Sequence, residues 1–205
     1  TLTGFVNGEA LGTSGVSGTA AVTTTATLTS AAGTYPITPA LGTLAASNYA
    51  FTTFTNGTLT IGQASQTITF GALANKTYGD ASFTIAATAS SSLTPSYSIV
   101  SGPATLSGSS VTITGAGTVV VRASQAGDAN YTAATPVDQS FTVAKATLTV
   151  TADAKSRVYG AANPTFTATI TGYVNSETSA VVSGAAAVTT TATTTSTVGD
   201  YAITA

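Results

Sequence analysis

The chain repeats itself, and a fixed internal period constrains a fold more than any other feature of a sequence. Residues 1–9 (TLTGFVNGE) return as residues 169–177 (TITGYVNSE), an offset of 168. Further on, residues 33–38 (GTYPIT) return as residues 199–204 (GDYAIT), an offset of 166. Two copies of one folding unit are therefore expected, one in each end region of the 205 residues.

A weaker repeat halves this period, because the stretch 48–64 is echoed 82 residues later by the stretch 130–146. The pattern predicts three domains. The first is a partial domain over residues 1–64, with its opening strands missing. The second is a complete domain over residues 65–146, and the third is a partial domain over residues 147–205, with its closing strands missing.

The composition favours extended backbone throughout. The sequence contains 46 Thr and 20 Gly, and only 6% of its residues are charged, against about 25% in an average soluble domain. Threonine is β-branched, which favours strands over helices. The composition therefore predicts an all-β fold. Six or seven short strands in a unit of about 82 residues, repeated along the chain, predict a tandem array of immunoglobulin-like β-sandwich domains.

Short alternating runs in the middle domain predict six strands, at residues 66–70, 82–88, 96–100, 111–114, 118–123 and 140–143. Their apolar members predict the core, which consists of Phe70, Phe83, Ile85, Tyr97, Ile99, Leu106, Val111, Ile113, Val119, Val121 and Phe141.

The threonine-rich stretches 18–30 and 184–197 are also predicted to be strands. Even spacing would turn one set of apolar side chains inward. The members of that set are Val22, Leu28, Val188 and Val198.

The missing residue types exclude most chemistry. Cys and His are absent, which removes disulfides, thiolate or imidazole metal sites and the nucleophile triads that need either residue. The acidic and basic residues form no dense cluster, so the sequence predicts no enzyme and no cofactor. A net charge of −2 without a basic run argues against nucleic acid, and no apolar run is long enough for a membrane span.

Three stretches carry a family resemblance: residues 157–164 (RVYGAANP), 171–175 (TGYVN) and 199–203 (GDYAI). They resemble the MBG (YDG-type) repeat of large bacterial surface and adhesin-like proteins. The middle domain, with residues 113–119 (ITGAGTV) and 123–131 (ASQAGDANY), resembles the bacterial Ig-like repeats that accompany it. The resemblance implies an extracellular or cell-surface location, a β-sandwich array and a structural or adhesive task, and it brings no known catalytic residue.

Two aspartates are candidate calcium ligands at domain junctions, Asp80 beside a glycine and Asp128 in a Gly-Asp-Ala-Asn turn. The favoured interpretation is that both carboxylates cap tight turns through the backbone, because the sequence contains no Asp-x-Asp-x-Asp spacing.

A second candidate chemistry is an isopeptide bond from Lys76, Lys145 or Lys155 to an asparagine, with Glu9 or Glu177 assisting proton transfer. The alternative is that these lysines are solvated. The recurring tyrosines near strand ends are expected to pack with a hydrogen-bonded hydroxyl rather than to stack on sugars. They are Tyr35, Tyr49, Tyr78, Tyr131, Tyr159, Tyr173 and Tyr201.

The leading functional hypothesis is a non-enzymatic structural segment of an extracellular bacterial fibre, stalk or filament. Its partners would be adjacent repeats of the same chain or identical subunits of a filament. One alternative is an adhesin module that binds a glycan or a host protein through exposed loops. Another is a set of accessory domains in a larger secreted enzyme.

Overall fold

A computed structural model describes all residues from 1 to 205, and its regular structure is almost entirely strand, so the all-β prediction is confirmed. One 3-10 helix, Ser179–Val181, interrupts the strands. The strands, in chain order, are β1 Ala21–Thr24, β2 Gly33–Ala40, β3 Gly57–Ile61, β4 Ile68–Phe70, β5 Lys76–Thr77, β6 Phe83–Thr84, β7 Ala87–Ala89, β8 Ser96–Ser101, β9 Ala104–Ser107, β10 Ser110–Ile113, β11 Gly117–Ser124, β12 Val137–Ala144, β13 Thr149–Ala152, β14 Ala168–Thr171, β15 Thr189–Thr190 and β16 Ile203–Thr204.

The chain forms two compact units. Unit 1 comprises Thr1–Thr67, Ser90–Leu93 and Gln125–Thr135. Unit 2 comprises Ile68–Ala89, Thr94–Ser124 and Pro136–Ala205. The division into three domains at residues 64 and 146 stays a prediction.

Unit 1 is built on an antiparallel sheet in the order β1-β2-β3. Along β2 the half-buried residues alternate with exposed ones, the period-two pattern of a strand with one covered face. Tyr35 and Ile37 lie on the covered face. Little of this unit is fully buried, since Leu44 and Ala134 are its two buried apolar residues.

Unit 2 contains the main hydrophobic core. Its largest sheet has the order β5-β12-β11-β8, and two smaller sheets have the orders β6-β10-β9 and β4-β7. Phe83 of β6 contacts Phe141 of β12 edge-on, with 5.4 Å between ring centroids, so a side chain from one sheet packs against a side chain from another. The buried apolar residues of this unit are Ile68, Phe70, Ile85, Val111, Ile113, Val119, Val121, Ala123, Phe141 and Val143.

The predicted core is confirmed for seven of its eleven members, and the other four, Phe83, Tyr97, Ile99 and Leu106, are half-buried. The six predicted strands all correspond to strands of the structure. Two short strands, β5 and β9, were not predicted. Both lie beside turns that contain glycine. Glycine indicates a turn, so a strand of two to four residues next to it is not recognised from the sequence pattern.

The strands predicted over residues 18–30 and 184–197 are much shorter than expected, and they contain β1 and β15 respectively. Each stretch ends in the same turn, because the Ser30 hydroxyl accepts the backbone N–H of Thr27, and Ser196 does the same for Thr193, both at 2.8 Å. Such local hydroxyl bonds compete with the strand ladder.

The inward orientation predicted for the apolar side chains of these stretches is wrong for three of the four. Val22 is 60% exposed, Val198 is 92% exposed, and Leu28 is fully exposed. Val188 is half-buried. The turns at residues 27–30 and 193–196 break the period-two alternation at Leu28 and before Val198. Val22 lies on the regular strand β1, with its side chain on the exposed face.

The second repeat copy, within unit 2, forms two small antiparallel pairs, β13 with β14 and β15 with β16. None of its apolar side chains is fully buried. No helix of the structure is long and apolar enough to cross a membrane.

Candidate functional site

Both candidate calcium ligands are engaged in turns. The Asp80 carboxylate accepts the backbone N–H of Thr77 at 2.9 Å. The Asp128 carboxylate accepts the N–H groups of Asn130 at 2.8 Å and Tyr131 at 2.9 Å. These are the hydrogen bonds of the turn interpretation, and no group of three acidic side chains comes together in the structure. Calcium binding stays an alternative hypothesis.

The charged side chains form one salt bridge, in which Arg122 and Asp138 face each other on neighbouring strands. Arg122 Nε donates to Asp138 Oδ1 at 2.8 Å and Nη2 donates to Oδ2 at 2.9 Å. These hydrogen bonds raise the pKa of Arg122 and lower the pKa of Asp138. Both side chains are about half exposed, so their attraction is weakened by solvent.

The structure brings together two members of the predicted cross-linking set. Lys145 and Glu177 both line a cavity of about 140 Å³ in unit 2, without a salt bridge between them and without an asparagine in the lining. Lys76 instead lies over the Phe83 ring, with its Nζ 4.8 Å from the centroid. The isopeptide bond stays an alternative hypothesis.

The first repeat copy contains a glutamate bound by a tyrosine. The Tyr49 hydroxyl donates to Glu9 Oε2 and accepts the backbone N–H of Val6 at 3.2 Å. The Tyr49 ring contacts Phe5 edge-on, with 5.6 Å between centroids. The bond to the Glu9 carboxylate raises the pKa of Tyr49. The repeat turn at residues 4–9 is thereby tied to a side chain 40 positions later.

The second copy contains the equivalent glutamate, Glu177, bound by a different tyrosine. The Tyr78 hydroxyl, from the β5–β6 turn, donates to Glu177 Oε1 at 2.7 Å. Tyr173, the counterpart of Phe5, lies nearby in the lining of the same cavity. Its hydroxyl is buried and has no hydrogen-bond partner.

A groove of about 470 Å³ lies within the second copy, lined by ten residues between Ala152 and Phe166, Val158 not among them, and by residues between Thr190 and Ile203. Asp153 accepts the hydroxyls of Thr167 at 2.5 Å and Thr169 at 2.8 Å, which lowers the pKa of Asp153. Tyr159 is 66% exposed at this groove. The groove offers an accessible aromatic ring, while the carboxylate beside it is already bound.

Arg157 joins the two walls of the same groove. Its Nε donates to Asn163 Oδ1 at 2.7 Å and its Nη2 donates to the carbonyl of Thr193. Asn163 Nδ2 in turn donates to the carbonyl of Ala192 at 2.8 Å. Because Arg157 contacts Asn163 on one wall and the Thr193 carbonyl on the other, its side chain holds the turn at residues 193–196 against the segment that contains Asn163.

The expectation that the recurring tyrosines carry a bonded hydroxyl is confirmed for four of the seven, Tyr35, Tyr49, Tyr78 and Tyr201. It fails at Tyr173, whose hydroxyl is buried without a partner, and the hydroxyls of Tyr131 and Tyr159 form no hydrogen bond within the chain. Tyr35 and Tyr201, which occupy equivalent places in the two copies, donate to the carbonyls of Ala31 and Thr197. Sequence reasoning did not pair the glutamates with tyrosines. The available signal was that Glu9 and Glu177 recur at one position of the repeat in a chain with few acidic residues.

The comparisons with known proteins match the ends of the chain. The family of MBG domains (YGX type) matches residues 1–60 and 148–205, together more than half of the chain. No curated protein and no solved structure matches the sequence. The matched regions are the two repeat copies that contain the glutamate turns, and the Ig-like resemblance of residues 65–146 stays a prediction. The chain belongs to the MBG domain family of the YGX type.

Proposed function

We propose that this chain is a non-enzymatic structural segment of an extracellular bacterial fibre, stalk or filament, built as an array of immunoglobulin-like sandwiches. Membership of the MBG family supports a repeat module of a surface protein. The task of such a segment is mechanical, so its important interactions are the contacts that join each repeat to the next. Its partners are adjacent repeats or identical subunits.

The observation that carries the proposal is the way in which the segments are connected within each unit. Only residues 145–148 separate β12 from β13, and the Tyr78 to Glu177 hydrogen bond links the two sides of that connection. In unit 1, Asn130 Oδ1 accepts the N–H of Ala32 at 2.9 Å and Gln63 Nε2 donates to the carbonyl of Asp128 at 2.7 Å. Short connections with such bonds favour a stiff array over freely jointed domains.

Exposed apolar side chains give a second line of support. All the large hydrophobic residues that are exposed, except Val100, lie within residues 6–54 or 148–201. In an array, adjacent repeats would cover these side chains.

The test is the location and the binding behaviour of the chain. Antibodies raised against the 205 residues are expected to label intact bacteria without permeabilisation, and brief protease treatment is expected to remove the label. Labelling that requires permeabilised cells would contradict the extracellular location. A stalk also predicts no saturable binding of the purified chain to a glycan array or to host cells.

An adhesin is the second candidate, and the groove beside Tyr159 is the observation that favours it. An exposed tyrosine combines an apolar ring face with a polar hydroxyl, and a sugar ring could stack on that face while nearby polar groups bind its hydroxyls. If the glycan array gives a saturable signal, Tyr159→Ala should abolish it. Val158→Ala, at a position 76% exposed and outside the groove lining, should leave the signal unchanged. The accessory-domain alternative stays a prediction.

A further inference from the structure

The glutamate of the repeat turn is held by the same backbone in both copies. The N–H of Glu9 donates to the carbonyl of Val6 at 3.0 Å, and the N–H of Glu177 donates to the carbonyl of Val174 at 2.9 Å. The residue two positions before each glutamate is a left-handed asparagine. The two carboxylates are therefore presented by equivalent turns, and their hydrogen-bond partners can be compared directly.

Those partners come from opposite directions along the chain. Tyr49, which binds Glu9 through Oε2, lies 40 residues after it. Tyr78, which binds Glu177 through Oε1, lies 99 residues before it. In each copy one carboxylate oxygen accepts a tyrosine hydroxyl and the other oxygen accepts no hydrogen bond. Because a carboxylate has about four lone-pair sites, it has room for both donors.

The valine of the same turn also differs between the copies. A Cβ added to Gly79 would lie 2.7 Å from Cβ of Val174, so the backbone of the Tyr78-Gly79 turn packs directly on this valine. The counterpart of Val174 in the first copy, Val6, is 57% exposed. The first copy thus shows the turn bound by a later tyrosine of its own repeat, and the second copy shows it bound by the segment that precedes the repeat.

We propose that this glutamate is a shared acceptor. In a run of repeats, one carboxylate binds the tyrosine at the Tyr49 position of its own repeat and the tyrosine at the Tyr78 position of the preceding segment. The turn thereby couples two contacts. One closes the repeat through its own tyrosine, and the other binds the repeat to the segment before it. This inference rests on the proposed function as an array and names the contact that stiffens each joint.

Coupling follows from the entropy of the glutamate side chain. A free glutamate loses rotamer freedom when its first partner binds, and this loss opposes the first hydrogen bond. The second tyrosine then meets a carboxylate that is already fixed, so its own bond forms at a lower cost. Each tyrosine should accordingly strengthen the hold of the other.

The experiment places both tyrosines on one carboxylate. The full chain is extended after Ala205 with a second copy of residues 40–64, which supplies the second repeat with a tyrosine at the Tyr49 position. Four variants carry Tyr or Phe at position 78 and at the added position. Amide hydrogen exchange is followed at Tyr78, whose N–H donates to Ala144, and at Glu177.

We expect each single Phe variant to lower protection at both amides about tenfold, the size of one hydrogen bond to a charged acceptor. If the two tyrosines share the carboxylate, the double variant lowers the protection factor by less than the product of the two single reductions. The reason is that either substitution alone already removes the coupling. The proposal would be overturned if the reductions in protection simply multiplied in the double variant. It would also be overturned if the added tyrosine had no effect on exchange at Glu177.

Glutamine variants provide the matched control. Glu177→Gln keeps the shape of the side chain but removes the charge and one acceptor oxygen, so it should abolish the coupling and leave the chain folded. Glu9→Gln makes the same change in the first copy and should leave exchange at Tyr78 and Glu177 unaltered. If Glu177→Gln preserved the coupling, the carboxylate would not be its source. These measurements use purified chain, so their failure would leave the extracellular location to be decided by the labelling of cells.

Discussion

The middle segment, from Ile68 to Val143, and the two repeat copies are stabilised in different ways. Every buried apolar residue of unit 2 lies in the middle segment, whereas the first copy contributes Leu44 and the second copy contributes none. The copies depend instead on turns closed by hydroxyl groups, on glycines that allow close backbone approach and on tyrosine hydrogen bonds. The difference shows that one chain combines a segment held by its core with repeats held by local contacts.

The largest effect should follow from a charge placed in the core. Val121 is fully buried on β11, between β12 and β8, so Val121→Asp leaves an unpaired carboxylate without solvent at a cost of several kcal/mol. We expect loss of the cooperative unfolding transition of the middle segment, measured by circular dichroism and by dispersion of its NMR signals. Val22→Asp, at a position 60% exposed on β1, should change stability by no more than about 0.5 kcal/mol. Equal losses from the two variants would remove the distinction between core and copies.

The next largest effect compares one glycine in both copies. Gly18 and Gly184 are equivalent, with φ of 82° and 85°. A Cβ at Gly18 would lie 2.0 Å from the backbone oxygen of Thr43. The 205 residues contain no counterpart of Thr43 in the second copy, and a Cβ at Gly184 would meet nothing within 4 Å. Both alanine variants carry the left-handed strain of about 1 kcal/mol, and Gly18→Ala must also displace a backbone segment.

Urea unfolding should therefore show a larger loss for Gly18→Ala than for Gly184→Ala, by about 1–3 kcal/mol. Hydrogen exchange at Ala45, which is bonded to Ser17, would locate the loss in the first copy. Similar losses for the two variants would mean that backbone strain alone, and not the close approach of Thr43, governs this position.

Much of the middle segment could be predicted from sequence, because its apolar residues alternate along strands with a clear period. Val119, Val121 and Phe141 were assigned to the core for that reason and are buried. The family of the two copies was equally accessible, since the repeat preserves short motifs such as Thr-Gly-aromatic-Val-Asn.

Side-chain orientations and long-range contacts in the repeat copies could not be predicted, for physical reasons. The orientation of Leu28 depends on a turn made by serine and threonine hydroxyls, which the same residues in a strand would not make. The glutamate pairs join side chains 40 and 99 residues apart, and no local pattern encodes such a contact. For Asp80 and Asp128 the sequence favoured turn capping, because it contains no Asp-x-Asp-x-Asp spacing.

A smaller effect, with the opposite sign, is expected in the second copy. The Tyr173 hydroxyl is buried without a partner, and such a group costs about 1–3 kcal/mol. Tyr173→Phe, which installs the residue found at position 5, should raise the stability of the second copy by about 1 kcal/mol. Tyr201→Phe removes a hydroxyl that donates to Thr197 at 3.1 Å and should lower stability by about 0.5–1.5 kcal/mol. Chemical denaturation of both variants tests the signs, and destabilisation by Tyr173→Phe would show that the hydroxyl has a partner in solution.

The smallest effect is a pH dependence that separates the middle segment from the second copy. Asp138 and Asp153 both have a pKa below the ordinary value of 3.8. A carboxyl group of this kind binds protons less readily in the folded chain than in the unfolded chain, so its contribution to stability is present above pH 3.8 and is lost as pH falls through the lowered pKa.

The causes of the two lowered pKa values differ, because the guanidinium of Arg122 acts on Asp138 and the hydroxyls of Thr167 and Thr169 act on Asp153. Salt screens an ion pair between exposed groups and leaves hydrogen bonds from neutral hydroxyls largely unchanged. Asp138→Asn should therefore remove a component of the acid loss that shrinks in about 1 M salt, and Asp153→Asn should remove one that persists. Denaturant midpoints for both variants at low and high salt, between pH 5 and pH 2, measure this directly, and a salt response confined to the Asp153 component would reverse the assignment.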